Sequence, residues 1–301
     1  MYLPYLRGKQ FELAALRECA DISSARHLKP IIEPVRENMN ALVNTIEHLN
    51  KSNIVPIVVI NPSVGELSGQ PSDRITRMLD EYNYTPCILL AGSSDEIAIH
   101  LAENMTREFV IYLTEGVDNT IIKLCNTAEF TIINPKISPT LLTKFSKVAF
   151  IDDNFKKKPR NADYGSESAF SHWHVTFRDT PNAVGFGDYT IMGTDFSESG
   201  GPAYVVTIHL SYINKEQYDE MYVKHYSSYD DNTPTNPGGK FIDALGSAVK
   251  DIIKNPSIFY ETLATREFIS LYENRHYPGL GQIKKLSIMH HIETLCDYLE
   301  G

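Results

Sequence analysis

The sequence predicts an α/β protein: a (β/α)8 TIM-like barrel followed by a helical C-terminal extension. Three observations predict it. Short, continuous apolar runs recur through the first two thirds of the chain, as buried parallel strands require. Helical patterns separate most of them, which is the signature of successive βαβ units. No glycine-rich phosphate fingerprint follows the first strand, and this weighs against the competing open, doubly wound sheet.

The elements follow in order. "YLPYL" (2–6) is the first strand, and "QFELAALRECADI" then places Phe11, Ala14, Ala15 and Cys19 on one helical face. "KPIIEPV" (29–35) is the second strand, and "NALVNTIEHLN" repeats the helical spacing with Leu42, Ile46 and Leu49. "IVPIVVI" (54–60) precedes "SDRITRMLDEY", which opens on a Ser-Asp cap. "PCILLAG" (86–92) precedes "SSDEIAIHLAEN", whose acids fall in the first turn. "EFVIYLT" (108–114), "FTIIN" (130–134), "KVAFID" (147–152) and "AVGFGDYTI" (183–191) complete eight strands within about 190 residues. "VVTIHLSYI" (205–213) is a ninth candidate. Either it closes the barrel and 183–191 is an outlying ribbon, or the reverse holds.

Beyond residue 213 the rhythm changes. "INKEQYDEMYVKHY" reads as helical, "SSYDDNTPTNPGGK" as a polar loop, and "FIDALGSAVKDII", "PSIFYETLATREFISLYENRHY" and "QIKKLSIMHHIETLCDYLE" as amphipathic helices. The expected organisation is a barrel domain over 1–213 and a helical extension over 214–301, packed on the barrel.

Composition narrows the function classes. A hydrophobic content of 42% with 22% charged residues is that of an ordinary globular chain. The net charge of −10 argues against broad, sequence-blind nucleic-acid binding but leaves room for a local basic patch. No run of about 18 apolar residues is present, so no membrane span is expected. Arg7, Lys9 and Glu12 interrupt what a signal peptide would keep apolar. The four cysteines are scattered and form no CxxC pair, which disfavours a zinc knuckle or a disulfide framework. A cytoplasmic protein is the expectation.

In a barrel, residues at the C-terminal ends of the strands share one mouth whatever their distance in sequence. Those ends supply Arg7 and Lys9, Glu33 and Arg36, Asn61, Glu115, Asn134, Asp152 and Asp153, Asp188 and Tyr189, and His209. Glu33, Asp152, Asp153, Asp188 and His209 are candidates for acid–base work. Arg7, Lys9, Arg36, Asn61, Asn134 and Tyr189 are candidates for holding a substrate. Glu33, Asp152 and Asp188 are the candidate ligands of Mg2+ or Mn2+, cations that favour carboxylate oxygens. Arginine and lysine converging on a mouth suit a phosphate or carboxylate. Each residue also has a plainer reading. Arg7 and Lys9 can neutralise the acids in a structural network, Glu33 can be a buried ion-pair partner, and one of the two adjacent aspartates must face away from the other. His209 can be a satisfied strand histidine, and Glu115 a turn residue. "NPGGKFIDAL" (236–245) weakly resembles an anion cradle without P-loop spacing, "SESGGPAY" (197–204) is a glycine turn suited to a lid hinge, and Lys156–Lys158 is a basic loop. "MHHIE" carries two adjacent histidines without an HExxH pattern, so no metal site is expected there.

"YLPYLRGKQFELAALRE", "KPIIEPVR", "RNADY", "GFGDYT" and "GGPAYVVTIHLSY" together resemble the "beta family" of bacterial and phage proteins, over residues 2 to 212. The resemblance implies a setting among mobile elements and phage defence. It supplies no catalytic residue, because the shared segments are family markers and not signatures of a known mechanism.

Two functional classes follow. One is a metal-assisted hydrolase or lyase acting on a phosphorylated or nucleotide-like substrate. The other is a non-catalytic binding module that senses an anionic small molecule or nucleotide, or holds a partner protein through its C-terminal helices.

Overall fold

The structure is a computed structural model that describes residues 1–198, 200–201 and 203–301. Ser199 and Pro202, in the glycine turn expected to act as a hinge, lie outside the described residues. Eleven strands are present among those described: β1 (Tyr2–Leu6), β2 (Ile31–Ile32), β3 (Ile57–Val59), β4 (Thr85–Leu90), β5 (Val110–Leu113), β6 (Thr131–Ile133), β7 (Val148–Asp152), β8 (Glu167–Ser171), β9 (Ala183–Asp188), β10 (Thr207–Asn214) and β11 (Glu220–Ser227). Eight of them close a parallel barrel in the order β1-β2-β3-β4-β5-β6-β7-β9. Each barrel strand lies within a run expected from the sequence or within one residue of it. The first two pair as neighbours, with Tyr5 opposite Ile31 and Leu6 opposite Ile32.

Two glycines let β9 close the ring against β1. A Cβ on Gly187 would stand 2.1 Å from the Leu3 carbonyl oxygen, and one on Gly185 would stand 2.6 Å from the Met1 side chain. The strand 183–188 can therefore approach β1 closely, whereas 207–214, lined with large side chains, cannot take that place. We expect Gly187→Ala to destabilise the fold by about 1–3 kcal/mol through overpacking. Urea unfolding measures it, and a variant as stable as the parent would show that the β1–β9 seam has room for a methyl group.

The ninth candidate belongs to a second sheet. β10, β11 and β8 form an antiparallel sheet in the order β10-β11-β8, with β8 inserted between the last two barrel strands. Here the structure corrects two expectations. Residues 220–227 are a strand and not a helix, because Met221, Val223 and His225 alternate as the buried face while their neighbours are more exposed. The expected change of architecture at residue 213 falls inside the β10–β11 hairpin. The helices Pro237–Lys254, Leu263–Glu273 and Leu280–Glu300 form the expected extension.

The terminal helix Leu280–Glu300 packs between the first helix, Gln10–Cys19, and β10. That first helix buries Leu13, Ala15, Leu16 and Cys19. Phe11 stands at its edge, against Gly281 of the terminal helix. Asp95 caps the helix Glu96–Glu103 by accepting the Ala98 amide, whereas Ser72 makes no side-chain capping bond. The core has two parts. One fills the barrel with Leu3, Tyr5, Ile57, Val59, Ile132, Tyr189 and their neighbours. The other lies between the barrel wall, the helices and the second sheet.

Candidate functional site: the barrel mouth

Strand alternation decides which strand-end residues meet. Leu3 and Tyr5 on β1 point into the barrel, so Arg7 continues the inward series. Ile31 on β2 does the same for Glu33. The two meet at the mouth. Glu33, with no solvent exposure, receives Arg7 Nη1 and the Tyr5 hydroxyl (2.7 Å) on Oε2, and the backbone N–H (2.7 Å) and hydroxyl (2.8 Å) of Ser63 on Oε1. A carboxylate saturated by four donors orients its partners and is not free to act as a base. Burial, then the Glu33 charge, pushes the Tyr5 phenol well above its ordinary value, so Tyr5 remains a donor. Arg7 donates its second terminal nitrogen to the Thr194 carbonyl (2.8 Å), while its buried Nε has no partner. Tyr189 and Tyr112 share a 2.7 Å hydroxyl contact beneath it, and the Tyr5 and Tyr189 rings lie 4.8 Å apart. Burial raises the Tyr112 phenol to about 12. These tyrosines floor the mouth and are neutral in ordinary buffers.

The aspartates separate. On β9, Phe186 and Asp188 face outward, away from the barrel interior. Asp188 is the register partner of Asp152 on β7. Asp188 does not share a cavity with Glu33. Its Oδ1 accepts the Tyr2 hydroxyl (2.9 Å) and the Thr190 amide (2.8 Å) and contacts His291 Nε2 (3.1 Å). His291 Nδ1 in turn meets the Ser211 hydroxyl at 2.7 Å. This Asp188–His291–Ser211 chain has the connectivity of a catalytic triad, but Ser211 and His291 have no solvent exposure and Asp188 has 2%. It fastens the terminal helix and β10 to the barrel wall. Asp152 is half-buried and accepts from Asn134 Nδ2 (3.1 Å), and Asn134 Oδ1 closes a turn onto the Lys136 amide. Asp153 is the acid at the mouth: it accepts the amide (3.1 Å) and hydroxyl (2.6 Å) of Thr194, whose carbonyl receives Arg7. The expected metal set of Glu33, Asp152 and Asp188 is therefore split across the barrel wall. Among the described residues no group of three or more His, Cys, Asp or Glu side chains is placed to hold a metal ion.

The remaining candidates divide in the same way. Asn61 extends the β3–β4 ladder, exchanging bonds with the Leu89 carbonyl (2.8 Å) and amide (2.9 Å), and its role is structural. Arg36 is exposed and paired to Glu66 at 2.6 Å, with its guanidinium turned to the surface. Lys9 donates to the Ser197 carbonyl and lies 4.8 Å from the Phe196 ring centre. Its ammonium is pushed below the usual lysine range by burial, Glu12 opposing the shift and Lys284, Arg36 and Lys157 adding to it. Lys157 is paired with Asp195 at 3.4 Å, and Lys284 is exposed. Lys284, Arg36 and Lys157 thus stand within electrostatic reach of Lys9, Arg36 and Lys157 being already paired with carboxylates.

His209 does not belong to the barrel. It lies on β10, 2.8 Å from His225 on β11 (Nδ1 to Nδ1), and His225 continues to the Ser168 hydroxyl at 3.0 Å. Phe155 and Tyr164, from the loop after β7, pack on this pair with ring-centre distances to His209 of 5.1 and 4.7 Å. Burial lowers the two imidazoles to about 3 (His209) and about 4 (His225), so both are neutral. Sequence reasoning missed Ser63, Thr194, Lys284 and His291. Only His291 carried a signal, as a histidine within an otherwise buried helix. The weak cradle at 236–245 is absent: Asn236 caps the helix, and Lys240 turns back to the Tyr204 and Thr233 carbonyls and Asp231.

Two open clefts lie elsewhere. One of about 710 Å3, lined by Ile99, Phe109 and Leu124 among others, sits at the N-terminal ends of β5 and β6, on the face opposite the mouth. The other, of about 630 Å3, lies between the helices Pro237–Lys254 and Leu263–Glu273. No helix is long and apolar enough to cross a membrane among the described residues. Comparison of the chain with protein-family models, with curated proteins and with solved structures finds no match to any of them.

Proposed function

We propose that the protein is a binding module for a phosphorylated or otherwise anionic small molecule, taken at the C-terminal mouth of the barrel. The observation that carries this reading is the placing of Arg7 and Lys9 together at the mouth, where they donate to the Thr194 and Ser197 carbonyls, in a chain of net charge −10. Lys284, Arg36 and Lys157 stand within electrostatic reach of Lys9 and add to the lowering of its ammonium, and an anion relieves that repulsion. Arg7 contributes a rigid guanidinium, oriented by Glu33 and still owning an unused Nε donor. The resemblance of the opening motif to the beta family adds mobile elements and phage defence as the expected setting. A nucleotide is a natural member of this ligand class, and a partner protein on the C-terminal helices is compatible with it. The alternative, a metal-assisted hydrolase or lyase, is less well supported, because its three carboxylates do not converge and Glu33 is saturated.

Calorimetric titration with inorganic tripolyphosphate at low ionic strength tests the reading. Binding is expected to weaken steeply with salt, as screening of exposed charges requires. It is also expected to fall by roughly tenfold or more in Lys9→Ala/Lys284→Ala, since charge-assisted contacts are the strong ones. Equal affinity in parent and variant contradicts the proposal, as does metal-dependent turnover of a phosphoester.

A further inference from the structure

Arg7, Lys9 and Lys157 are already engaged by four consecutive residues of the chain, Thr194 to Ser197. The Thr194 carbonyl receives Arg7 (2.8 Å), and the Asp195 carboxylate pairs with Lys157 (3.4 Å). Phe196 lies against the Lys9 ammonium, the Ser197 carbonyl accepts from it, and Glu198 is within electrostatic reach of Arg36. Thr194 also anchors the segment to Asp153. Thr194–Glu198 therefore offers carbonyl and carboxylate oxygens to the cations in sequence, as a bound polyanion would.

The anchoring is shallow. Asp195, Ser197 and Glu198 are exposed, and the segment forms no strand or helix. Glycines flank it. Gly193, at φ +68°, occupies a left-handed turn, and a Cβ on Gly200 or Gly201 would meet nothing within 4 Å. Exposed ion pairs of this kind contribute little each, so a ligand of higher charge density can replace them.

Resting on the anion-binding reading above, we infer that Thr194–Glu198 is an intramolecular occupant of the mouth, a strap that neutralises the rim and is displaced by a polyphosphate group. The ligand class follows from the contacts it must replace. Several oxygens reaching Arg7, Lys9 and Lys157 together are what a string of phosphates supplies, and a single phosphate reaches too few of them to compete. The strap thus sets a threshold of ligand charge: monovalent and divalent anions leave it in place, and a polyphosphate lifts it.

The experiment compares the parent with Asp195→Asn/Glu198→Gln, whose changed side chains are exposed and leave the core untouched. Tripolyphosphate and inorganic phosphate are titrated into both proteins, and amide hydrogen exchange of the segment is followed in the parent. The variant is expected to bind tripolyphosphate roughly fivefold tighter or more. The difference between tripolyphosphate and phosphate is expected to narrow, and exchange at 194–198 to rise when the parent binds. Equal tripolyphosphate affinity in the two proteins overturns the strap while leaving the anion site standing. Weaker binding by the variant, or slower exchange at 194–198 on binding, makes the segment a part of the site and also overturns the strap. Binding by neither protein overturns both readings.

Discussion

Lowering the pH from 8 to 5 is expected to remove on the order of 5–6 kcal/mol of folding stability. Four histidines cause it. His209 is lowered to about 3, and His174, His225 and His290 to about 4, each chiefly by burial. The carbonyls that His174 and His290 face, those of Asp219 and Ser211, oppose the shift without cancelling it, whereas His225 beside His209 adds to its lowering. All four folded-state values lie below the unfolded value of about 6.5, so the unfolded chain binds the additional protons. The stability they support is complete above about pH 6.5 and is lost as the pH falls toward 4. Each loses about 2 kcal/mol by pH 5. Glu293 runs the other way. Burial raises it to about 7, so its contribution is present at low pH and lost as the pH rises through that value, offsetting about one histidine. Because a domain commonly holds 5–15 kcal/mol in total, that loss is a large fraction of the stability. Urea unfolding at pH 5, 6, 7 and 8 measures this, and a stability flat across that range would show that these imidazoles are hydrated.

Glu33→Ala is expected to cost about 3–5 kcal/mol. The substitution removes four hydrogen bonds and leaves the Arg7 guanidinium, 16% exposed at its side chain, without its carboxylate. The cost is that of an uncompensated buried charge, not of lost packing, and this distinguishes it from a cavity. Replacing both partners, Glu33→Leu with Arg7→Leu, should recover most of the stability, since apolar replacement of a buried pair is often neutral. Equilibrium unfolding of the three proteins decides. A single variant within about 0.5 kcal/mol of the parent would mean that solvent reaches the pair.

The barrel was legible because its evidence is local and repeated. Continuous β-branched runs mark strands buried on both faces, and their spacing admits few folds. The second sheet was obscured where "INKEQYDEMYVKHY" mixes both periods. Met221, Val223 and His225 alternate as a strand does, yet the charged and aromatic residues between them also fit a helix. The site was legible only in part. Arg7 and Glu33 lie at strand ends and point inward, as read. Asp188 also lies at a strand end, but one residue of register separates the barrel interior from its outer wall. The glycines 185 and 187 carry the parity, since only the crowded inner face against Leu3 requires them. His291 is 103 residues from Asp188, and a contact of that range leaves no local trace. Thr194 and Lys284 are carried by a loop and a C-terminal helix whose placement no strand pattern encodes.

A structure determined with tripolyphosphate bound separates the two placements of the ligand. Phosphate density is expected at the C-terminal mouth, within hydrogen-bond reach of Lys9 and Lys284, with Thr194–Glu198 lifted from Arg7 and Lys157. Density confined to the cleft between the helices Pro237–Lys254 and Leu263–Glu273, with the strap still on the rim, would contradict that placement.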